Sequence, residues 1–335
     1  MNYRRMLTLL ALMLLFWGTH LQAVTVIKIG SIAPSRSPWD KALNEVAADW
    51  EKISGGTVEV KIYAGGIAGN ELDMIRKMRL GTLNGAVLSS MGMIKINRDL
   101  FVLITPFLTN SEQEFQYVFD KMKPVFQKQI EEQGYKVLLW TQAGWAYFFT
   151  KEKVTYPEDM KKYKISFTAD EPEMEHAWKQ MGYQVVPNDL KDMMMALQSG
   201  MVTAFYLPPL LAGSGQYFAL APHMLDLRLA PLIGGLVLTD KTWQSIPEQY
   251  REPMVQSVLK ATEGLHQSTK NLENDAIKAM KENGLIIDEP PADAMEKWRA
   301  AASKGMDELT EKAFSKETYD EVLALIQEFR QKSGR

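Results

Sequence analysis

The sequence predicts an α/β protein built on a mostly parallel sheet, and three observations carry that expectation. Short runs such as Val58-Glu59-Val60-Lys61-Ile62-Tyr63 alternate with the period of half-buried strands. Stretches of helical period stand between them. Glycine-containing stops separate the two kinds, and strands alternating with helices at this spacing indicate βαβ units.

The elements follow in order. Residues 24–29 alternate as a first strand, ended by Gly30-Ser31 and a loop containing Pro34, Ser35, Ser37 and Pro38. Residues 39–53 read as a helix with Ala42, Val46, Ala47 and Trp50 on one face, stopped by Ser54-Gly55-Gly56. Residues 58–63 form the second strand, 71–80 a short helix ending at Gly81, and 85–88 a small buried strand. In the second half, residues 136–141, 146–150, 164–167 and 183–186 read as strands. Residues 171–181 read as a helix stopped by Gly182, and Asp189 is expected to cap a helix that runs to Ser199. Gly213-Ser214-Gly215 reads as a flexible turn, and residues 247–283 and 292–331 read as helical. There is no repeat of solenoid period and no low-complexity linker. The chain is therefore expected to cross between domains more than once, with strands and a long helix as hinges.

The N-terminus reads as an export signal. Arg4 and Arg5 precede an apolar run over residues 7–17, and Thr19-His20-Leu21-Gln22-Ala23 has the character of a cleavage region ending at Ala23. No later run reaches the roughly 18 apolar residues that a membrane span needs. Cysteine is absent, which excludes a disulfide framework, a Cys nucleophile, a Cys-ligated zinc and a lipid-bearing Cys. The formal net charge of the 335 residues is −3, and removing a leader with two arginines and no acids makes it more negative. That argues against nucleic acid, which needs a basic face.

Catalytic and metal motifs are not found. His176, His223 and His266 are scattered, and no nucleophile elbow, phosphate loop or dinucleotide fingerprint is present. Met193-Met194-Met195 supplies thioethers, but consecutive helical residues point in different directions and cannot converge on one copper ion. No catalytic residue, metal or cofactor is expected, and the chain is not read as an enzyme.

Five segments carry a resemblance. They are SPWDKALNEVAADWEKISGGTVEVKIYAGG, GNELDMIRKMRLGTLNGAVLSS, TPFLT, YPEDMKKYKI and MMMALQSGMV, in that order. Together they resemble the periplasmic solute receptors of TRAP transporters, over nearly the whole mature chain. The resemblance implies a two-lobe periplasmic binding protein fold with hinge strands and a long helix spanning both lobes. It implies residues 1–23 as signal peptide and residues 24–145 plus about 231–270 as lobe I. Residues 146–230 plus about 271–335 would form lobe II and the C-terminal helices. It further implies closure on a ligand and delivery to a membrane permease made of a small and a large subunit.

Two departures from the family pattern bear on the ligand. The family's ligand strand typically reads Lys-Ile-Arg-Val, its arginine gripping a carboxylate, whereas this chain has Lys164-Ile165-Ser166-Phe167. The family's later polar segment is replaced by Thr203-Ala204-Phe205-Tyr206-Leu207, with Leu207 where an asparagine often contacts ligand. A buried carboxylate without a paired donor costs several kcal/mol, whereas apolar walls return about 25 cal/mol per Å². The expected ligand is therefore hydrophobic or weakly polar. Its expected contacts are Trp145, Tyr147, Phe148, Ser166, Phe167, Phe205, Tyr206 and Leu207, with Ser89, Ser90 and Met91 from the first lobe. The aromatic residues among these read equally as sheet core, because alternation sends Phe205 and Leu207 to one face and Tyr206 to the other. Lys164, two residues before Ser166, is the basic residue of that strand. A second reading keeps the fold as a lipid-handling or protein-interaction module, working with a tetratricopeptide-repeat helper of the kind some TRAP systems use.

Overall fold

A computed structural model describes residues 24–167, 172–310 and 312–334. The expected signal peptide lies outside them.

Ser37 accepts a hydrogen bond from Asp40 N and Pro38 fills the first turn, so helix α1 starts where the Pro/Ser loop ends (Pro38–Ile53). It buries Ala42, Leu43, Val46 and Trp50. The Trp50 indole N–H donates to Met254 O at 3.2 Å, which ties α1 to helix α10 (Glu248–Ala261). Strands β1 (Thr25–Ser31) and β2 (Val58–Tyr63) pair in parallel on either side of α1, and β3 (Gly85–Ser89) joins β1 in parallel. Between β2 and β3 lies α2 (Glu71–Arg79), and α3 (Ser90–Ile96) starts directly after β3.

Helix α4 (Glu112–Glu132) leads into the longest strand, β4 (Tyr135–Thr150). The two strands expected over residues 136–141 and 146–150 are one. Register shifts at Val137/Leu139 and Gln142/Trp145 absorb the irregularity that broke the alternation in the sequence. β4 pairs along its length with β9 (Ala230–Thr239), which also pairs with β3, and beyond that with β7 (Ala204–Leu207). β7 runs parallel to β5 (Lys164–Phe167), and β5 to β6 (Gln184–Pro187). The sheet order is β2-β1-β3-β9-β4-β7-β5-β6, with β4 common to both halves. Strands β8 (His223–Leu225) and β10 (Ile286–Asp288) pair with each other, and β8 with the end of β4.

Short helices α5 (Pro157–Met160), α6 (Pro172–Gln180) and α7 (Met193–Ser199) connect the strands of the second half. Asp189 stands at a 3-10 turn before α7 without a side-chain cap, its carboxylate lying 3.6 Å from Lys191 Nζ instead. Met193 is buried and Met195 is 65% exposed, so the methionines diverge as helix geometry demands. The Gly213-Ser214 pair closes α8 (Pro209–Ser214) rather than forming a free turn, because Pro208 and Pro209 preset its first turn.

The C-terminal third is helical but interrupted. After α9 (Asp240–Ser245), the expected spanning helix comes as α10 and α11 (Leu265–Glu282), with Gly264 at φ +75° between them. Only glycine takes that conformation without cost, so the elbow is written in the sequence. α10 packs on α1, and α11 packs on α8 and β4. The expected helix over 292–331 also divides, into α12 (Ala294–Leu309) and α13 (Lys316–Lys332). Ser315 restarts it as an N-cap, accepting from Thr318 N and donating to Asp99 Oδ2. α12 packs on α6, and α13 returns to α4.

Candidate ligand site

In open α/β sheets ligands bind beyond the carboxyl ends of the strands, where the topology reverses. Here that region lies at the ends of β3, β5 and β7, around the crossing of β4 and β9. Strand alternation sorts the expected contacts into three groups.

The first group is consumed by the core. Phe205 is fully buried and stacks on Phe149 at 4.9 Å and 7°, with Tyr217 edge-on at 5.9 Å. On the opposite face Phe148 is also fully buried, against Trp178, Tyr206 and Trp298 at ring separations of 6.0, 6.2 and 5.5 Å. Phe167 is buried 6.4 Å from Tyr206, and Tyr206 itself is only partly buried, stacked on Trp178. The aromatic wall is thus largely filled by its own side chains. A neighbouring apolar cavity lined by Phe107, Met174, Trp178 and Trp298 measures about 10 Å³, room for about one water.

The second group comes from the first half of the sheet. Ser89 N and Oγ donate to Glu71 at 2.5 and 2.8 Å, and Ser89 Oγ accepts from Met91 N as the cap of α3. Burial pushes the Glu71 carboxyl up, while the Ser89 and Gly92 donors oppose that rise. Ser90 is buried, and its hydroxyl both donates to Ile233 O and accepts from Ile233 N, each at 2.9 Å. Ser90 therefore fastens α3 to β9, and Met91 is half-buried beside it.

The third group lines the end of the second half-sheet. Tyr147 and Leu207 are direct partners across β4 and β7, and both are partly exposed. Ser166 is buried and accepts from Asn188 Nδ2 at 3.2 Å. Lys164 is exposed, with Nζ reaching Gly200 O at 3.5 Å, so its cation is not beside Ser166.

Next to Tyr147 the structure gathers charge that sequence reasoning missed. Trp145 is buried, and its indole N–H donates to Glu112 Oε2 at 2.7 Å, which also accepts from Gln142 Nε2 at 3.0 Å. The Arg228 guanidinium stands 5.8 Å from the centre of the Trp145 ring, and its charge acts on the Tyr147 phenol. Burial pushes the Tyr147 phenol up, and Arg228 pulls it back. Glu273 of α11 leans on the register shift of β4: a Cβ at Gly144, whose φ is +93°, would meet its Oε2 at 2.6 Å. Burial raises the Glu273 carboxyl above its ordinary 4.5, with Arg228 opposing and Glu112 reinforcing the rise. The signal for Arg228 was present in the alternation of Asp226 and Arg228, both exposed, with buried Leu225, Leu227 and Leu229.

A raised carboxyl favours the protonated form in the folded state. The stabilisation is therefore complete below pH 4.5 and lost as pH rises through the folded value. Glu273→Gln is expected to lose this part of the pH dependence, flattening Tm against pH above 4.5. A variant profile parallel to the wild type would show that Glu273 does not titrate in this range.

A model of the family described as bacterial extracellular solute-binding protein, family 7, matches residues 29–313. The chain belongs to that family. Among relatives, a solute-binding protein of Chromohalobacter salexigens is 24% identical over 263 residues, 76% of this chain and 75% of that protein. Among solved structures, the TRAP periplasmic solute-binding protein of Roseobacter denitrificans, with bound β-D-glucuronate, superposes with a TM-score of 0.80 at 17% identity. The match covers 90% of this chain and 99% of that one. The TRAP periplasmic solute-binding protein of Desulfovibrio salexigens, with bound orotic acid, gives 0.79 at 18% identity, covering 92% and 99%. These relatives share the two-lobe α/β fold. They are binding receptors rather than enzymes, and so is this family member.

Proposed function

We propose that this receptor serves a TRAP-type transporter in the periplasm, captures a small molecule with an apolar body between its lobes, and hands it to a membrane permease. In this reading the lobes divide on β4 between residues 145 and 146; α13 packs back on α4. The observation that carries the ligand class is Ser166. It occupies the position of the family's arginine, is buried, and takes its hydrogen bond from Asn188. Leu207 and Tyr147 continue that edge with hydrocarbon and a phenol. Ligand between the lobes would stabilise a closed state by its differential affinity for that state.

The test is mass spectrometry of a solvent extract of the purified protein, taken before and after unfolding and refolding. A stoichiometric compound with an aliphatic or aromatic body, present only before refolding, is the expected result. An empty extract from well-folded protein, or a sugar acid in it, would sink the reading.

A further inference from the structure

We propose that the free edge of β4 in the first half-sheet carries a second binding site, separate from the inter-lobe cleft, for a small uncharged alcohol with a ring-shaped apolar body. The site is a cavity of about 220 Å³ between α4, β4 and the elbow that joins α10 to α11. The apolar cavity beside Trp178 measures only about 10 Å³, so the larger space lies here. None of the expected ligand contacts of the cleft lines it.

The topology opens this space. β9 pairs with one edge of β4 over residues 139–142, whereas β7 reaches only residues 147–150 of the other edge. The register is unbroken from Leu139 to Gln142, so Trp140 and Gln142 share one face and Leu139 and Thr141 the other. The shared face is turned to α4: the Trp140 ring meets Phe119 edge-on at 5.6 Å, and Gln142 Nε2 donates to Glu112 at 3.0 Å. Thr262 and Leu265 bound the cavity from the elbow.

Two polar atoms of the lining residues have no hydrogen-bond partner among the described residues. They are Trp140 Nε1, a donor, and Gln142 Oε1, an acceptor on a side chain that is 9% exposed. Leaving both unpartnered is costly, which favours an occupant that satisfies them together. A hydroxyl group does so by accepting from the indole N–H and donating to the amide oxygen. Both atoms are sealed from solvent, so the occupant turns a lining side chain aside to reach them. Phe119, Leu139 and Leu265 give it apolar walls. Charge selects a neutral molecule. Lys123 repels a cation, while Asp120, 3.6 Å from Lys123 Nζ, and Glu112, bonded to Gln142, repel an anion. Bound there, the alcohol ties the edge strand to the start of α11.

The experiment follows the indole N–H signals of the full protein by NMR during titration with two matched pairs of probes. These are cyclohexanol against methoxycyclohexane and phenol against anisole. The Trp140 signal is identified as the one missing from Trp140→Phe. The alcohol of at least one pair is expected to shift that signal saturably and to bind about 10-fold more tightly than its ether. Gln142→Met is expected to erase the alcohol's advantage, and Trp140→Phe to weaken the alcohol about 10-fold, with a cooperative thermal transition showing that each variant folds. An unmoved Trp140 signal, equal binding of alcohol and ether, or an advantage that survives Gln142→Met would overturn the proposal. None of these outcomes touches the receptor reading, which stands or falls on the native extract.

Discussion

Trp298→Ala is expected to lower the free energy of unfolding by about 3–5 kcal/mol. Trp298 is 1% exposed in the second turn of α12. Its ring lies 5.3 Å from Phe107 and 5.5 Å from Phe148, so one side chain joins the loop before α4, the strand β4 and the C-terminal helices. Its indole N–H donates to Thr155 O at 3.0 Å. Truncation removes the packing, opens a cavity and strands a carbonyl, and the three losses reinforce one another. Urea unfolding followed by circular dichroism measures the sum. Trp298→Phe separates the parts, since it forfeits the hydrogen bond and keeps most of the packing. A midpoint unmoved by the alanine substitution would show that the aromatic cluster is not a stabilising unit.

Ser166→Arg is the second large effect, and it acts on both stability and binding. Ser166 is 5% exposed, and its neighbour Asn188 already presents a donor to it. A guanidinium placed there faces another N–H instead of an acceptor. The hydrogen-bond partner at Ser166 is the Asn188 amide rather than a carboxylate, so burial of the charge costs several kcal/mol. The substituent would also occupy the space assigned to the ligand's apolar body. Loss of the co-purifying compound together with a lower Tm is expected. Undiminished recovery of the ligand would place Ser166 outside the pocket, whatever the change in Tm.

Much of the fold was legible because local and global signals agree. The apolar stripe of α1 and its glycine stop give a helix over 39–53 in the sequence, and the structure adds only Pro38, capped by Ser37. The elbow at Gly264 and the restart at Ser315 were missed, because helical periodicity continues across both. The site was less legible for a physical reason. A run such as Ala204-Phe205-Tyr206-Leu207 looks uniformly apolar, yet period-two geometry commits Phe205 to stacking on Phe149 and leaves Leu207 at the edge. Ser90 looked available until β9 took both ends of its hydroxyl. Arg228 lies far from every motif in sequence, and only the pairing of residues 229–230 with Ala146 brings it to Tyr147.

The single strand β4 has a thermodynamic consequence. Its first part completes the half-sheet with β9, and its last part completes the half-sheet with β7. Neither half can lose its hydrogen-bond ladder without fraying a strand the other depends on, and the buried Trp145 sits at the junction, tied to α4 through Glu112. The two lobes are thus expected to melt together, in one cooperative transition by calorimetry.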